Sequence, residues 1–395
     1  VYNVRAVLEG RLELTPALGE EVYDCLACRG CESVCPAGVP VGNIVEEFRG
    51  LLGEERKESG LGRALKRLML SGVVASPPRL SFVLSLLRFG ERTGLRSLLR
   101  HLLRGLAPGL YARESLLPAL SSGDAPRLPR ELPAIGTRRG RVALFRGCIA
   151  SELFADVNVA TARVLARNGF DVVVPADQAC CGALHLHNGL PDTARALARR
   201  NVRAFHEEGL DAIIVNAAGC GAALGEYHEL LANDDSDAHE HEHERVAAFA
   251  RRVVDVSAFL AREGFAAPKA SPFRVQDEHR VAYDPPCHLF HAQGVRDEPR
   301  TILESIPGVR LIEHRDAERC CGSAGIYNVT HYEMSMQVLE EKMDALADAR
   351  PETIVTGNPG CHLQLQAGAK RRGLNAEIVH PVVLLDRAYT AEESS

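Results

Sequence analysis

Residues 144–148 read Leu-Phe-Arg-Gly-Cys and residues 213–220 read Ile-Ile-Val-Asn-Ala-Ala-Gly-Cys. The progression recurs at 283–287, Tyr-Asp-Pro-Pro-Cys, and at 355–361, Val-Thr-Gly-Asn-Pro-Gly-Cys. Each stretch passes from apolar or β-branched residues into Gly or Pro and then into a cysteine, as a strand does when it ends in a loop. The carboxyl edge of a parallel sheet is where α/β folds build their sites, so Cys148, Cys220, Cys287 and Cys361 are placed at such edges. Working outward, strand-like runs at 142–145, 172–174 and 212–215 alternate with Ala- and Arg-rich helical stretches at 157–168 and 192–208. Strands at 281–283, 309–312 and 354–355 and helices at 332–347 and 362–372 then repeat the pattern. This alternation predicts two duplicated α/β domains with parallel sheets, over residues 141–265 and 266–395.

The cysteines carry the same repeat. Cys148 is followed by Cys180-Cys181-Gly182 and Cys220, and Cys287 by Cys320-Cys321-Gly322 and Cys361, with separations of 32, 1 and 39 and then 33, 1 and 40 residues. Adjacent cysteines do not readily close a mutual disulfide, and a cytoplasmic chain keeps its thiols reduced. Zinc accepts four thiolates but favours C-x₂₋₄-C knuckles, which these sets lack. An iron–sulfur cluster is several ångströms across, so neighbouring residues of one turn can reach different irons, and Gly182 and Gly322 let backbone N–H groups approach the sulfurs. Iron–sulfur chemistry is therefore the favoured reading, with a structural zinc scaffold as the alternative.

The N-terminal sequence supports it independently. Cys25-Leu-Ala-Cys28-Arg-Gly-Cys31-Glu-Ser-Val-Cys35-Pro36 is the C-x₂-C-x₂-C-x₃-C-P run of bacterial ferredoxins, which holds a 4Fe-4S cluster. In two-cluster ferredoxins the fourth cysteine of a run ligates the other cluster, so Cys35 is expected to serve a second one. The chain opens without Met and in a helical stretch at residues 2–8, so a further run is expected before Val1. Residues 1–117 are read as a helical ferredoxin-type domain and the Pro- and Gly-rich residues 118–140 as a linker.

Composition sets the outer bounds. The 395 residues carry 46 Lys and Arg against 52 Asp and Glu, with 46% hydrophobic residues and 12 Cys, which suits a globular chain of two or three domains. Global disorder is excluded, and no run of 18 apolar residues predicts a membrane span. The net charge of −6 conceals blocks of −6 (residues 1–55), +12 (56–141) and −12 (142–395). Within the basic block, Leu and Arg at helical spacing predict two or three short amphipathic helices. These either pack on their own domain with solvated Arg faces or dock on an acidic partner or an anionic membrane. Nucleic acid is not expected. Residues 233–245, Asn-Asp-Asp-Ser-Asp-Ala-His-Glu-His-Glu-His-Glu-Arg, are read as a solvated loop.

Together these segments resemble the iron–sulfur subunits of bacterial glycolate oxidase (glycolate dehydrogenase). More broadly they resemble the cysteine-rich (CCG) domain family, with its lactate-utilisation iron–sulfur proteins and the cysteine-rich component of heterodisulfide reductase. The resemblance rests on VYNVRAVLEG (1–10), CLACRGCESVCPAGV (25–39), ATARVLARNGF (160–170), CCGALHLH (180–187), NAAGCGAALGEY (216–227), PPCHLFHAQ (285–293), CCGSAGIYN (320–328) and IVTGNPGC (354–361). Where the heterodisulfide reductase branch has C-x-x-C, this chain has Cys220-Gly-Ala-Ala and Cys361-His-Leu-Gln, so the five-thiolate clusters of that branch are not expected.

The resemblance implies an electron-transfer subunit of a 2-hydroxy-acid dehydrogenase complex, with flavin on a partner flavoprotein and electrons passing to a quinone or another carrier. A lactate-oxidising or heterodisulfide-reductase-like complex is the alternative. A cytoplasmic location, peripheral on the inner-membrane face, is expected. No catalytic residue is predicted in this chain. His185, His187, His288, His291 and His362, which crowd the cysteine motifs, either ligate or tune the clusters or simply cap and pack beside the loops.

Overall fold

The computed structural model describes residues 1–55, 60–118, 128–207, 209–232, 240–273 and 278–394. Its centre is a pair of sheets built by the same winding. The first contains β1 (Glu131–Leu132), β2 (Gly140–Phe145), β3 (Phe170–Val173), β4 (Ala212–Val215) and β5 (Val253–Asp255), in the order β1-β3-β2-β4-β5. The second contains β6 (His279–Tyr283), β7 (Val309–Ile312), β8 (Thr353–Val355) and β9 (Glu377–Val379), in the order β7-β6-β8-β9. In each, the first long strand lies between the next two. Val142 pairs with Val172 on one side and Ala212 on the other, and Val281 with Leu311 and Thr353. The chain therefore reverses its direction of winding between β2 and β4 and again between β6 and β8, which creates two switch-point crevices.

Both faces of each sheet are covered, as parallel strands require. Val142 and Leu144 of β2 and Val281 and Tyr283 of β6 belong to a single core, completed by the helices Ala155–Arg167, Val256–Glu263, Glu298–Glu304 and Pro381–Glu393. The two sheets thus share one helical layer. Ala143 and Phe145 face the opposite way, onto Leu197, Phe205 and Phe249, and Ala282 and Ile354 onto Leu339, Met343 and Leu346. The last three sit at i, i+4 and i+7 on the helix Tyr332–Ala349, the spacing of one buried stripe. His380 ties the halves at their edge, its Nε2 3.0 Å from the Asn216 carbonyl while its Nδ1 accepts from the Val382 N–H at the start of the last helix.

Several sequence expectations are corrected. The first sheet is not wholly parallel, because β1 pairs antiparallel with β3. β1 also lies inside the stretch read as a linker, of which residues 119–127 fall outside the described residues. β5 and β9 were not anticipated. Of the acidic, His-rich stretch, residues 233–239 lie outside the described residues, and residues 240–245 begin the helix Glu240–Arg252 rather than a loop. The Leu- and Arg-rich stretch 61–106 forms three helical runs, Gly60–Arg67 continuing into the π-helical turn Leu68–Val74, then Pro77–Arg92 and Leu95–Leu106, with Pro108–Glu114 following. The predicted helix at 192–208 closes early, as Pro191–Ala204.

The glycines after the cysteine pairs have a backbone reason to be glycine. Gly182 and Gly322 adopt φ of +91° and +89°, where a side chain is strained. A Cβ on Gly182 would sit 3.3 Å from Ala194, and one on Gly322 only 2.6 Å from the Ser335 carbonyl oxygen. Gly182→Ala should therefore cost about 1–2 kcal/mol and Gly322→Ala about 3 kcal/mol or more. Urea denaturation under anaerobic conditions should rank them in that order.

Candidate functional site

Each crevice collects four thiols from three loops. After β2, a Gly-bearing turn leads directly into the helix Cys148–Leu153, so Cys148 occupies its first position. The segment after β3 brings Cys180 and Cys181, and Cys220 lies in the first turn of Ala218–Gly225 after β4. The Cys148 thiol donates to Cys180 Sγ at 3.4 Å, Cys180 interacts with Cys181, and Cys181 with Cys220. The second repeat reproduces this row link for link: Cys287 with Cys320, Cys320 with Cys321, and Cys321 with Cys361. Cys361 sits in the first turn of Pro359–Arg372, which follows β8. Among the described residues, no three His, Cys, Asp or Glu side chains surround one point as a single ion would need. The thiols form extended rows instead.

Seclusion and mutual contact set their acidity. The Cys148 thiol is pushed up by its hydrogen bond to Cys180 and then by burial, and Cys287 likewise by Cys320 and burial. Cys320 is the exception. Hydrogen bonds from Cys287 and Cys321 hold it well below the usual thiol range, and the Gly322 N–H, 3.4 Å from its sulfur, adds to them. The backbone N–H that the Cys-Cys-Gly spacing placed near sulfur is therefore present. Asn358 Nδ2 also lies 3.5 Å from Cys361 Sγ.

The ferredoxin-type run winds between the two repeats. Cys25 follows the helix Pro16–Asp24, whose N-terminus is capped by Thr15 Oγ1 accepting from the Leu18 N–H at 3.3 Å. Ala27 and Arg29 then take φ of +50° and +65°, a tight double reversal between the first three cysteines. Burial raises Cys28, and among the charges felt there are Cys320, Cys25 and Cys31, in that order. Cys28 thus faces the second row as well as its own run. Cys35, whose charge is felt at Cys31, is itself lowered chiefly by the Val39 and Ala37 N–H groups.

Side chains from all three segments fix this placement. Ser33 Oγ lies 2.8 Å from His291 Nδ1, and Tyr327 Oη donates to the Asp24 carbonyl at 3.0 Å. Arg49 donates to the carbonyls of His187 and Val22, each at 3.0 Å. Arg29 pairs with Glu32 at 2.9 Å and also with Glu226, 197 residues away.

The five histidines divide. His288 Nδ1 lies 3.4 Å from Cys287 Sγ, and burial together with neighbouring His187 lowers its pKa to about 4. His187 pairs with Glu46 at 2.7 Å, and His291 holds Ser33. His185 and His362 take other partners: His185 Nε2 lies 3.1 Å from the Leu70 carbonyl, and His362 packs at a tilt against Phe154 and meets Gln366 at 3.0 Å.

Sequence reasoning missed one group beneath the second row. Lys342 Nζ meets Asp284 Oδ1 at 2.9 Å with both side chains 1% exposed, and also donates to the carbonyls of Asp316 and Ala317. A lysine three residues after Leu339 and one before Met343, on an apolar helical stripe, was the available signal.

Rows of thiols at the switch points of duplicated α/β units define a tandem cysteine-rich-domain protein, and the Cysteine-rich domain family matches residues 142–225 and 281–366. Full-length similarity narrows this. The chain is 38% identical over 387 residues to the Bacillus subtilis protein named "Probable glycolate oxidase iron-sulfur subunit", covering 97% of this chain and 85% of that one. It is 31% identical over 396 residues to the Escherichia coli "Glycolate oxidase iron-sulfur subunit", covering 99% and 88%. A more distant relative, "Lactate utilization protein A" of Oceanobacillus iheyensis, is 28% identical over 247 residues, covering 62% and 96%. The chain belongs to the family of glycolate oxidase iron–sulfur subunits, within the cysteine-rich-domain proteins.

Removing Arg29 leaves Glu32 and Glu226 without their shared cation in a half-buried junction. Arg29→Ala should loosen residues 25–35 locally by about 2 kcal/mol, seen as roughly thirtyfold faster amide exchange there with the sheet amides unchanged.

Proposed function

We propose that the chain is the electron-relay subunit of a dehydrogenase complex that oxidises glycolate or a similar 2-hydroxy acid. In this reading Cys25, Cys28, Cys31 and Cys35 serve 4Fe-4S binding. Cys148, Cys180, Cys181 and Cys220, and in turn Cys287, Cys320, Cys321 and Cys361, serve two further iron–sulfur sites. The observation that carries it is the matched pair of thiol rows with Cys28 set against the second. A row of soft donors suits a polynuclear group better than a tetrahedron around one ion, and family membership points the same way.

Such a group, when bound, accepts and returns one electron at a time, which is the chemistry the chain needs. The protein's own part is to hold and shield. Gly322 N–H aims at Cys320 sulfur and Asn358 at Cys361, donors that stabilise negative charge on thiolate and tune a redox site. The surrounding Phe145, Ala179 and Leu224 keep water from the first row. In this reading the 2-hydroxy acid is oxidised on a flavoprotein partner and a quinone or another carrier takes the electrons, as kinship with glycolate oxidase iron–sulfur subunits suggests. The likeness to a lactate-utilisation protein favours lactate as the second substrate to test.

Anaerobically purified protein should contain iron and acid-labile sulfide and copurify with a flavoprotein from its host; zinc without either would overturn the assignment. Cys28→Ser should remove a ferredoxin-type paramagnetic signal and spare the others, whereas Cys321→Ser should spare that signal and remove one belonging to the second repeat. Loss of every signal in both variants would contradict separate sites. A panel of glycolate, lactate and related acids on the assembled complex should show glycolate turning over fastest.

A further inference from the structure

The helices between residues 64 and 117 turn an apolar surface outward. Pro77–Arg92 is apolar on two opposite sides. Leu80 and Leu84 enter the core beside Phe145 and Cys148, while Phe82, Leu86 and Phe89, at i, i+4 and i+7, are 64%, 55% and 62% exposed. The next helix, Leu95–Leu106, is inside out. Its buried Arg96 pairs with Glu91 and Glu114, and Arg100 also reaches Glu114. Its Leu95, Leu98, Leu99, Leu102 and Leu106 point outward, between 49% and 83% exposed. The sequence expectation of solvated Arg faces therefore fails at Arg96, which is buried, while Arg104 of the same helix stays exposed.

Charge and composition select the occupant. Residues 64–117 hold nine Lys and Arg against two acids, Glu91 and Glu114, and both acids are engaged by Arg96 and Arg100. The surface is left cationic, with Arg79, Arg92 and Arg104 exposed. Protein interfaces concentrate Tyr, Trp and Arg, and leucine seldom anchors them, whereas a stripe of Leu and Phe flanked by arginines is what a lipid interface accepts. Among the described residues no single helix is long and apolar enough to cross a membrane; the segments Ala64–Val74 and Pro77–Arg92 together have the length and composition but are bent by 103°. Because Leu80 and Leu84 are packed on the first sheet, this surface can lie on a bilayer but not thread it.

We propose that this face rests in the interfacial layer of a membrane containing anionic lipid, with leucines and phenylalanines at the acyl boundary and arginine head groups among the phosphates. The contact stands apart from the electron-relay reading and requires none of the cysteines. Flotation of the purified full-length chain should recover it with vesicles of phosphatidylglycerol and phosphatidylcholine but not with phosphatidylcholine alone, with binding falling as salt rises. Phe82→Ser/Phe89→Ser and Leu99→Ser/Leu102→Ser should each weaken partitioning about tenfold or more, and Arg104→Glu should weaken it only on the anionic vesicles. Unchanged circular dichroism would show that the variants keep their fold. Wild-type chain that ignores anionic vesicles, both alone and assembled with its partner subunits, would overturn the proposal. So would serine variants that bind vesicles normally but lose a partner subunit, since the face would then belong to a protein.

Discussion

Sulfur atoms crowded out of water are the constraint around which this molecule is arranged. Thiols at 3.4 Å cannot all ionise side by side in a dry crevice without compensating positive charge or donors. The fold must therefore supply rigid loops, backbone N–H groups and a means of placing two adjacent cysteines on different neighbours. A parallel sheet whose winding reverses beside its first strand does this, because the loops from both sides open toward one crevice. Left-handed glycines at 182 and 322 then let each Cys-Cys pair turn sharply against the helix behind it. The shared helical layer between the sheets follows from the duplication, since each unit offers an apolar helical face that only a second unit of like shape covers.

Much of this was legible in the chain's own pattern. Strand-to-cysteine transitions such as Tyr283–Cys287 marked the sheet edges, and the near-equal spacing of the two cysteine sets marked the duplication. What escaped were elements too short to carry a pattern. Glu131–Leu132 has two residues amid prolines, and Val253–Asp255 follows a helix with no Gly or Pro between them. The seating of the ferredoxin-type run was equally hidden, because Arg29 finds Glu226 only through tertiary structure. Helical periodicity at 95–106 revealed an apolar and a basic side but could not say which faced inward; Glu91 and Glu114 decide that by drawing Arg96 in.

The duplication is nevertheless unequal in its surroundings. Both rows keep the same order of contacts, and the second has Cys28 among its neighbours and a buried Lys342–Asp284 pair beside it. Asp284, which Lys342 holds at 2.9 Å, feels the charge of Cys320, so a buried ion pair borders the second row. Near-equal cysteine spacing therefore does not imply identical surroundings, and in the proposed reading the two sites are free to differ in potential while retaining one architecture.

The helical layer common to both sheets has a mechanical corollary. Tyr283 and Leu144 lie in one continuous core, and His380 bridges to Asn216, so the two halves are joined by side-chain packing as well as by the chain. Under the proposed relay, a core shared by both halves sets the separation of the two crevices, and control of the current falls to the ends of the chain of sites, where partners arrive and leave.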